Sequence, residues 1–141
     1  VVAPRGASYS ILPRRCGLEV AMVVALPVKD AEKSVRFYYK ILGFMYEPMA
    51  LVRVSPTTVL QLIQRAPETR QHLAFSMSRV EFEQTLARLK AAEIPFGDDF
   101  DSVGTMSGPG KAHGSQKNGD SIYFCDPDDH MLEIICYEAN K

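Results

Sequence analysis

"DSIYFCDPDDHMLEII", Asp120 to Ile135, holds two short apolar runs separated by a turn. Alternation in the second run sets Leu132 and Ile134 against Glu133, and in the first it puts Ser121 and Tyr123 on one face. The D-P-D-D segment between them reads as a turn, with residues that favour one. A strand–turn–strand hairpin is therefore expected, with strands near Asp120–Cys125 and His130–Tyr137. A glutamate flanked by Leu132 and Ile134 is costly to bury alone, so Glu133 needs a partner. His72 in protonated form, Arg53 or a metal ion are the partners available.

Upstream of this hairpin, "HLAFSM" reads as a strand and "SRVEFEQTLARLKAAE" as a helix. Ser78 and Glu81 have the spacing of a capping box, Met77 and Phe82 that of a hydrophobic staple, and Phe82, Leu86 and Leu89 form an apolar stripe. A further strand is expected near Phe96–Phe100. The first half has the same order. A strand runs from about Leu18 to Val28, and "DAEKSVRFYYKILG" is a helix capped by Asp30 and ended by Gly43. "FMYEP", "ALVRVS" and "TVLQLIQ" follow as strands, with Pro48 and Ser55-Pro56 at the turns. The order βαβββ occurs twice, over about 19–63 and 71–137, after an irregular extension at 1–18.

In each unit the bulky set (Val24, Leu26, Val28, Leu60, Leu62; Leu73, Phe75, Leu132, Ile134) belongs under the helices. The opposite set, with Gln61, His72 and Glu133 among small residues, faces a shared concavity with room for a ligand. The fold class is α+β, a cupped mixed sheet with helices on its outer face.

The 141 residues are 46% hydrophobic and 23% charged, with a net charge of -1 and no basic cluster. That composition argues for one globular domain and against nucleic-acid binding. No apolar run approaches the ~18 residues of a membrane span, and the N-terminal "VVAPRGASYSILPRRCG" has no compact apolar stretch of the signal-peptide kind. Cys16, Cys125 and Cys136 form no CxxC pair, which suggests free thiols and a cytoplasmic setting. "GTMSGPGK" is not a phosphate loop, since Thr105 and Ala112 occupy positions that need glycine and a hydroxyl residue. It reads as a glycine-rich loop over the cup.

At these residues the chain resembles the vicinal oxygen chelate superfamily, which includes glyoxalase I and the bleomycin-resistance proteins. The closing hairpin is similar to that family's Y-F-x-D-P-D turn before L-E, and "ALPVKDAEKSVRFYYKILGF" resembles its opening strand, helix and L-G-F. The resemblance covers about Met22 to Tyr137. It implies a small-molecule ligand in the cup, a homodimer, and a divalent metal (zinc, nickel, manganese or iron) at the positions of Val23, Gln61, His72 and Glu133. Gln61, His72 and Glu133 are competent ligands, whereas Val23 is not, so the site is reduced or absent. Extradiol dioxygenases need a second histidine, and fosfomycin-modifying enzymes a histidine where Val23 stands.

His72 and Glu133 are the catalytic candidates. Arg53, Tyr123 and His113 are the residues placed to meet a substrate. His130 follows the turn, where the family often has a histidine that is not a ligand. Three activities stay open: a metal-assisted lyase or isomerase, a metal-free enzyme with His72 or Glu133 as general base, and a binding protein that performs no chemistry. The absence of tryptophan weighs against the last, since bleomycin-type binders tend to be rich in it.

Overall fold

The computed structural model describes residues 21–112 and 118–137. The expected extension at 1–18 and His113 lie outside them. The first unit runs β1 (Met22–Val28), α1 (Ala31–Leu42), β2 (Met45–Glu47), β3 (Leu51–Ser55) and β4 (Thr58–Gln64). The second runs β5 (His72–Ser76), α2 (Arg79–Ala91), β6 (Phe96–Gly97), a 3₁₀ turn (Phe100–Ser102), β7 (Gly110–Ala112), β8 (Gly119–Cys125) and β9 (Met131–Cys136). Each unit makes its own mixed sheet. The first is ordered β1-β4-β3-β2, and the second β5-β9-β8-β6 with β7 also on β8. In both, the opening strand lies parallel to the closing one and the remaining pairs are antiparallel.

The helices start and stop where local chemistry requires. Asp30 accepts from the Lys33 amide at the head of α1, and Gly43, at φ 74°, ends that helix in a left-handed conformation glycine adopts without strain. Ser78 and Glu81 form the reciprocal capping box on α2. Alternation sorts the strand faces as expected: Leu26, Val28, Val52, Leu60, Ile122, Phe124, Leu132 and Ile134 are buried against the helices. Each such side chain contributes about 1.5–3 kcal/mol of apolar burial.

One apolar cluster spans both units. Phe44 meets Phe75 edge-on, and Phe37 packs on Phe124. The turn after β8 also reaches back into the first unit. The Tyr38 hydroxyl donates to Asp126 at 2.8 Å, and the Lys29 amide and Ser34 hydroxyl donate to Asp128. Burial pushes the Asp126 carboxyl up from its ordinary value, against the opposing effect of its hydrogen bonds.

Two details depart from the sequence reading. The strand expected near Phe96–Phe100 is only Phe96–Gly97, and Phe100 begins the 3₁₀ turn. The glycine-rich connection contributes β7 rather than loop alone. It packs so closely that a Cβ on Gly110 would lie 2.1 Å from the Asp98 carbonyl oxygen. The glycines there permit backbone contact as well as a bend.

Candidate functional site

β9 is an interior strand, flanked by β5 and β8, and all six of its residues are buried. On its cup face Glu133 stands between Ala74 of β5 and Tyr123 of β8. Only 5% of Glu133 is exposed, so its carboxylate must be satisfied from neighbouring strands. The Ser121 hydroxyl donates to Oε1 at 2.7 Å, and His72 Nε2 lies 3.1 Å from Oε2. Tyr123 is the register partner of Glu133 on this face. Burial first, and then the neighbouring Glu133 carboxylate, raise the pKa of the Tyr123 hydroxyl above its ordinary value, so it stays protonated.

A carboxylate only accepts, which assigns the hydrogen to His72 Nε2 and leaves the lone pair on Nδ1. The His72 side chain is 53% exposed, and its ring centre is 6.2 Å from that of Tyr123. The arrangement is an anchored carboxylate orienting a half-open imidazole, the geometry of a general base and its orienting group.

The equivalent face of the first sheet is different. Val23 is 66% exposed. Gln61 sits between Ala25 and Leu51. Arg53 shares that face but donates to Glu47 across β2–β3 at 2.5 Å and to the carbonyls of Ser55 and Pro56. The expectation that Arg53 might partner Glu133 is thereby corrected: the short hairpin supplies a nearer carboxylate. Among the described residues, no hydrogen bond or ion pair joins Val23 or Gln61 to His72 or Glu133.

β1 and β5 are the facing edge strands of the two sheets and run past each other in opposite directions. Pro27, late in β1, meets the start of β5 through His130, which contacts the Pro27 carbonyl and the Gln71 amide. Met22 and Val24, early in β1, line a cavity with Ala74, Ser76 and Met77 at the end of β5. Val23 and Pro27 are separated by about 13 Å of strand, so Val23 and His72 occupy opposite ends of this seam.

The cavity measures about 680 Å³ and touches both faces of the seam, with Leu60 and Phe75 on the core side and Ala74 and Ser76 on the cup side. Ala74 is also the register partner of Glu133, so the carboxylate stands one strand from the cavity wall.

Comparison with known proteins agrees with this architecture. The family model of the Glyoxalase/Bleomycin resistance protein/Dioxygenase superfamily matches residues 21–134, the span from the head of β1 into β9. The chain belongs to that superfamily. Among solved structures it is similar to Oxidase ChaP-H2, with 25% identity, TM-score 0.68 and coverage of 89% of this chain and 98% of that one. It is similar in fold to a glyoxalase/dioxygenase from Nostoc punctiforme at 22% identity and TM-score 0.60, covering 92% and 98% of the two chains. The fosfomycin resistance protein FosX from Listeria monocytogenes gives 20% identity and TM-score 0.59, covering 86% and 95%. A search of curated proteins gave no match.

Members of the superfamily commonly bind divalent metals, and the residues of this chain can be tested against that. His72 and Glu133 are brought together, but Gln61 lies on the other sheet and Val23 offers no donor atom. Among the described residues no three of His, Cys, Asp and Glu cluster as a metal site requires. Two donors, each directed at the other, do not fit a divalent ion within one chain.

Two contributors were missed from sequence. Ser121 was visible on the face of Tyr123, yet its role as donor to Glu133 depends on the β8–β9 register. His130 was visible after the turn, but its partner Pro27 is 103 residues away.

Proposed function

We propose that this superfamily member binds a small molecule in the β-sheet cup, against the exposed side of His72, and works on it with the His72–Glu133 dyad, as a lyase or isomerase without a resident metal. The observation that carries the reading is the buried Glu133 carboxylate, held by Ser121 and presented to His72 Nε2. A ligand with an enolisable C–H beside a carbonyl would lose that proton to His72 Nδ1. The charge formed on the imidazole is stabilised through Nε2–H by Glu133. Return of the proton at another atom isomerises the ligand, and departure of a leaving group makes the reaction a lyase step.

A second reading, capture of a small molecule without chemistry, is favoured by one feature. The cavity lining is mainly apolar and includes neither His72 nor Glu133. Deuterium wash-in to hydroxyacetone, followed by proton NMR in deuterated buffer with line broadening as the measure of binding, separates the two. The enzyme reading expects exchange faster than buffer that falls about 10²–10⁴-fold in His72→Ala and Glu133→Gln. Binding without exchange leaves the second reading.

The remaining properties rest on supporting observations. Val23 and Met45 present an exposed apolar surface on the cup face of the first sheet, which supports a homodimer contact there. The thiol of Cys125 supports a reducing, cytoplasmic compartment. No helix among the described residues is long and apolar enough to cross a membrane. We read residues 19–141 as one glyoxalase-like domain after the extension at 1–18.

A further inference from the structure

His130 is fully buried and takes no part in the dyad. Its Nδ1 lies 3.0 Å from the Gln71 amide nitrogen, and its Nε2 lies 2.8 Å from the Pro27 carbonyl oxygen. A backbone N–H can only donate and a carbonyl can only accept, so both partners demand one state: neutral imidazole, hydrogen on Nε2, lone pair on Nδ1. The ring's own backbone is fixed in turn. The His130 amide donates to Asp126 Oδ1 at 2.9 Å, and the Asp126 amide donates to the His130 carbonyl.

The neighbouring contact extends this grip. The Met131 amide donates to the Gln71 carbonyl at 2.8 Å. Residues 130 and 131 thus hold the peptide units on both sides of Gln71, and the residue after Gln71 is His72. A continuous path runs from Pro27 of the first sheet through the His130 ring and the Gln71 backbone to His72 and Glu133.

We infer that His130 is a positioning residue for the dyad. It fixes the start of β5, and with it the orientation of the His72 ring, by tying Gln71 to the first sheet. The inference rests on the dyad reading above. The first unit, with valine where the second has histidine, enters the site through the backbone carbonyl of Pro27. Placement of this kind matters because a displacement near 1 Å at a catalytic group costs on the order of 10² in rate.

The test is NMR on the full chain, in wild type and in His130→Ala, His130→Asn and His130→Gln. Ring ¹⁵N shifts report the His72 tautomer, and amide exchange reports protection at Gln71. Wild type is expected to show the Nε2–H tautomer at His72 and a protected Gln71 amide. His130→Ala should expose that amide about tenfold or more, the loss of roughly one hydrogen bond, and mix the His72 tautomers. His130→Asn keeps an acceptor near the Nδ1 position and should restore both signals. His130→Gln reaches toward Pro27 instead and should restore neither.

A purely structural histidine would lower the melting temperature in every variant and leave the His72 tautomer unchanged, which overturns the inference. Indistinguishable Asn and Gln variants overturn it too, and that pair decides the matter if His130→Ala does not fold. Wild-type His72 with no tautomer preference sinks the dyad reading, and this inference with it. A wild-type preference that survives in all variants sinks the inference alone.

Discussion

Where β5 carries His72, β1 carries Val23; where β9 carries Glu133, β4 carries Gln61. The two units share element order and helix caps, yet only the second holds a titratable pair. Their surroundings explain the difference. Glu133 has a hydroxyl from Ser121 and the Tyr123 ring on the adjacent strand, and His72 across the other. Gln61 has Leu51 on one side and Ala25 on the other. A carboxylate at position 61 would face two aliphatic side chains directly, and its diagonal neighbour Arg53 is already held by Glu47. A charge persists in a half-buried sheet only where the neighbouring strands carry donors in register.

The strongest attack on this asymmetry is to delete the two sides separately. His72→Ala should lower any proton-exchange activity about 10²–10⁴-fold, whereas Gln61→Ala should leave it within a few-fold. Equal losses would show that the first sheet supplies a working group after all. Next in size is the donor to the buried carboxylate. Ser121→Ala strands an oxygen of Glu133 and should cost about 1–3 kcal/mol in chemical denaturation, against less than about 0.5 kcal/mol for Gln61→Leu.

A subtler contrast concerns acid. Asp120, buried in the second sheet, is held below its ordinary value of 3.8, first by the Lys111 hydrogen bond and then by Arg79. A lowered folded value means stability that is fully present above pH ~4 and is lost as pH falls through that lower range. Lys111→Ala should therefore shift the acid limb of the melting curve upward, at about 1 kcal/mol or less given how open the lysine is. Glu47, also lowered by its hydrogen bond to Arg53, is a half-open residue of a short hairpin, and Arg53→Ala should move that limb less than Lys111→Ala does. The smallest expected effect is a symmetry. Asp30→Ala and Ser78→Ala each remove one N-cap and should each cost about 1 kcal/mol. A large inequality would mean that one helix depends on its cap for more than local order.

Much of the architecture could be read from the sequence because it is encoded locally. Alternation in "TVLQLIQ" and "MLEII" sorted the faces, and Asp30, Gly43 and the Ser78–Glu81 pair marked helix ends that the structure reproduces. His72 and Glu133 were named separately, and the fold sets them 3.1 Å apart. What stayed hidden depends on register or on distant partners. Arg53 meets Glu47 only because the β2–β3 turn passes through Met49 and Ala50 at positive φ. The cavity is lined by residues of both units, from β1 and β3 to β5, and no residue pattern within one strand announces its neighbour.

The turn between β8 and β9 decides how this chain of two like-ordered units can be divided. Asp126, Asp128 and His130 together engage Pro27, Lys29, Ser34 and Tyr38. An excised first unit would keep a Tyr38 hydroxyl with no carboxylate to receive its hydrogen. An excised second unit would keep an aspartate cluster and an imidazole aimed at absent partners. Cut between Arg65 and Arg70, the chain should therefore behave as a complementation pair, two fragments that order each other on mixing. Through five residues of turn, two units of like order become halves that each complete the other.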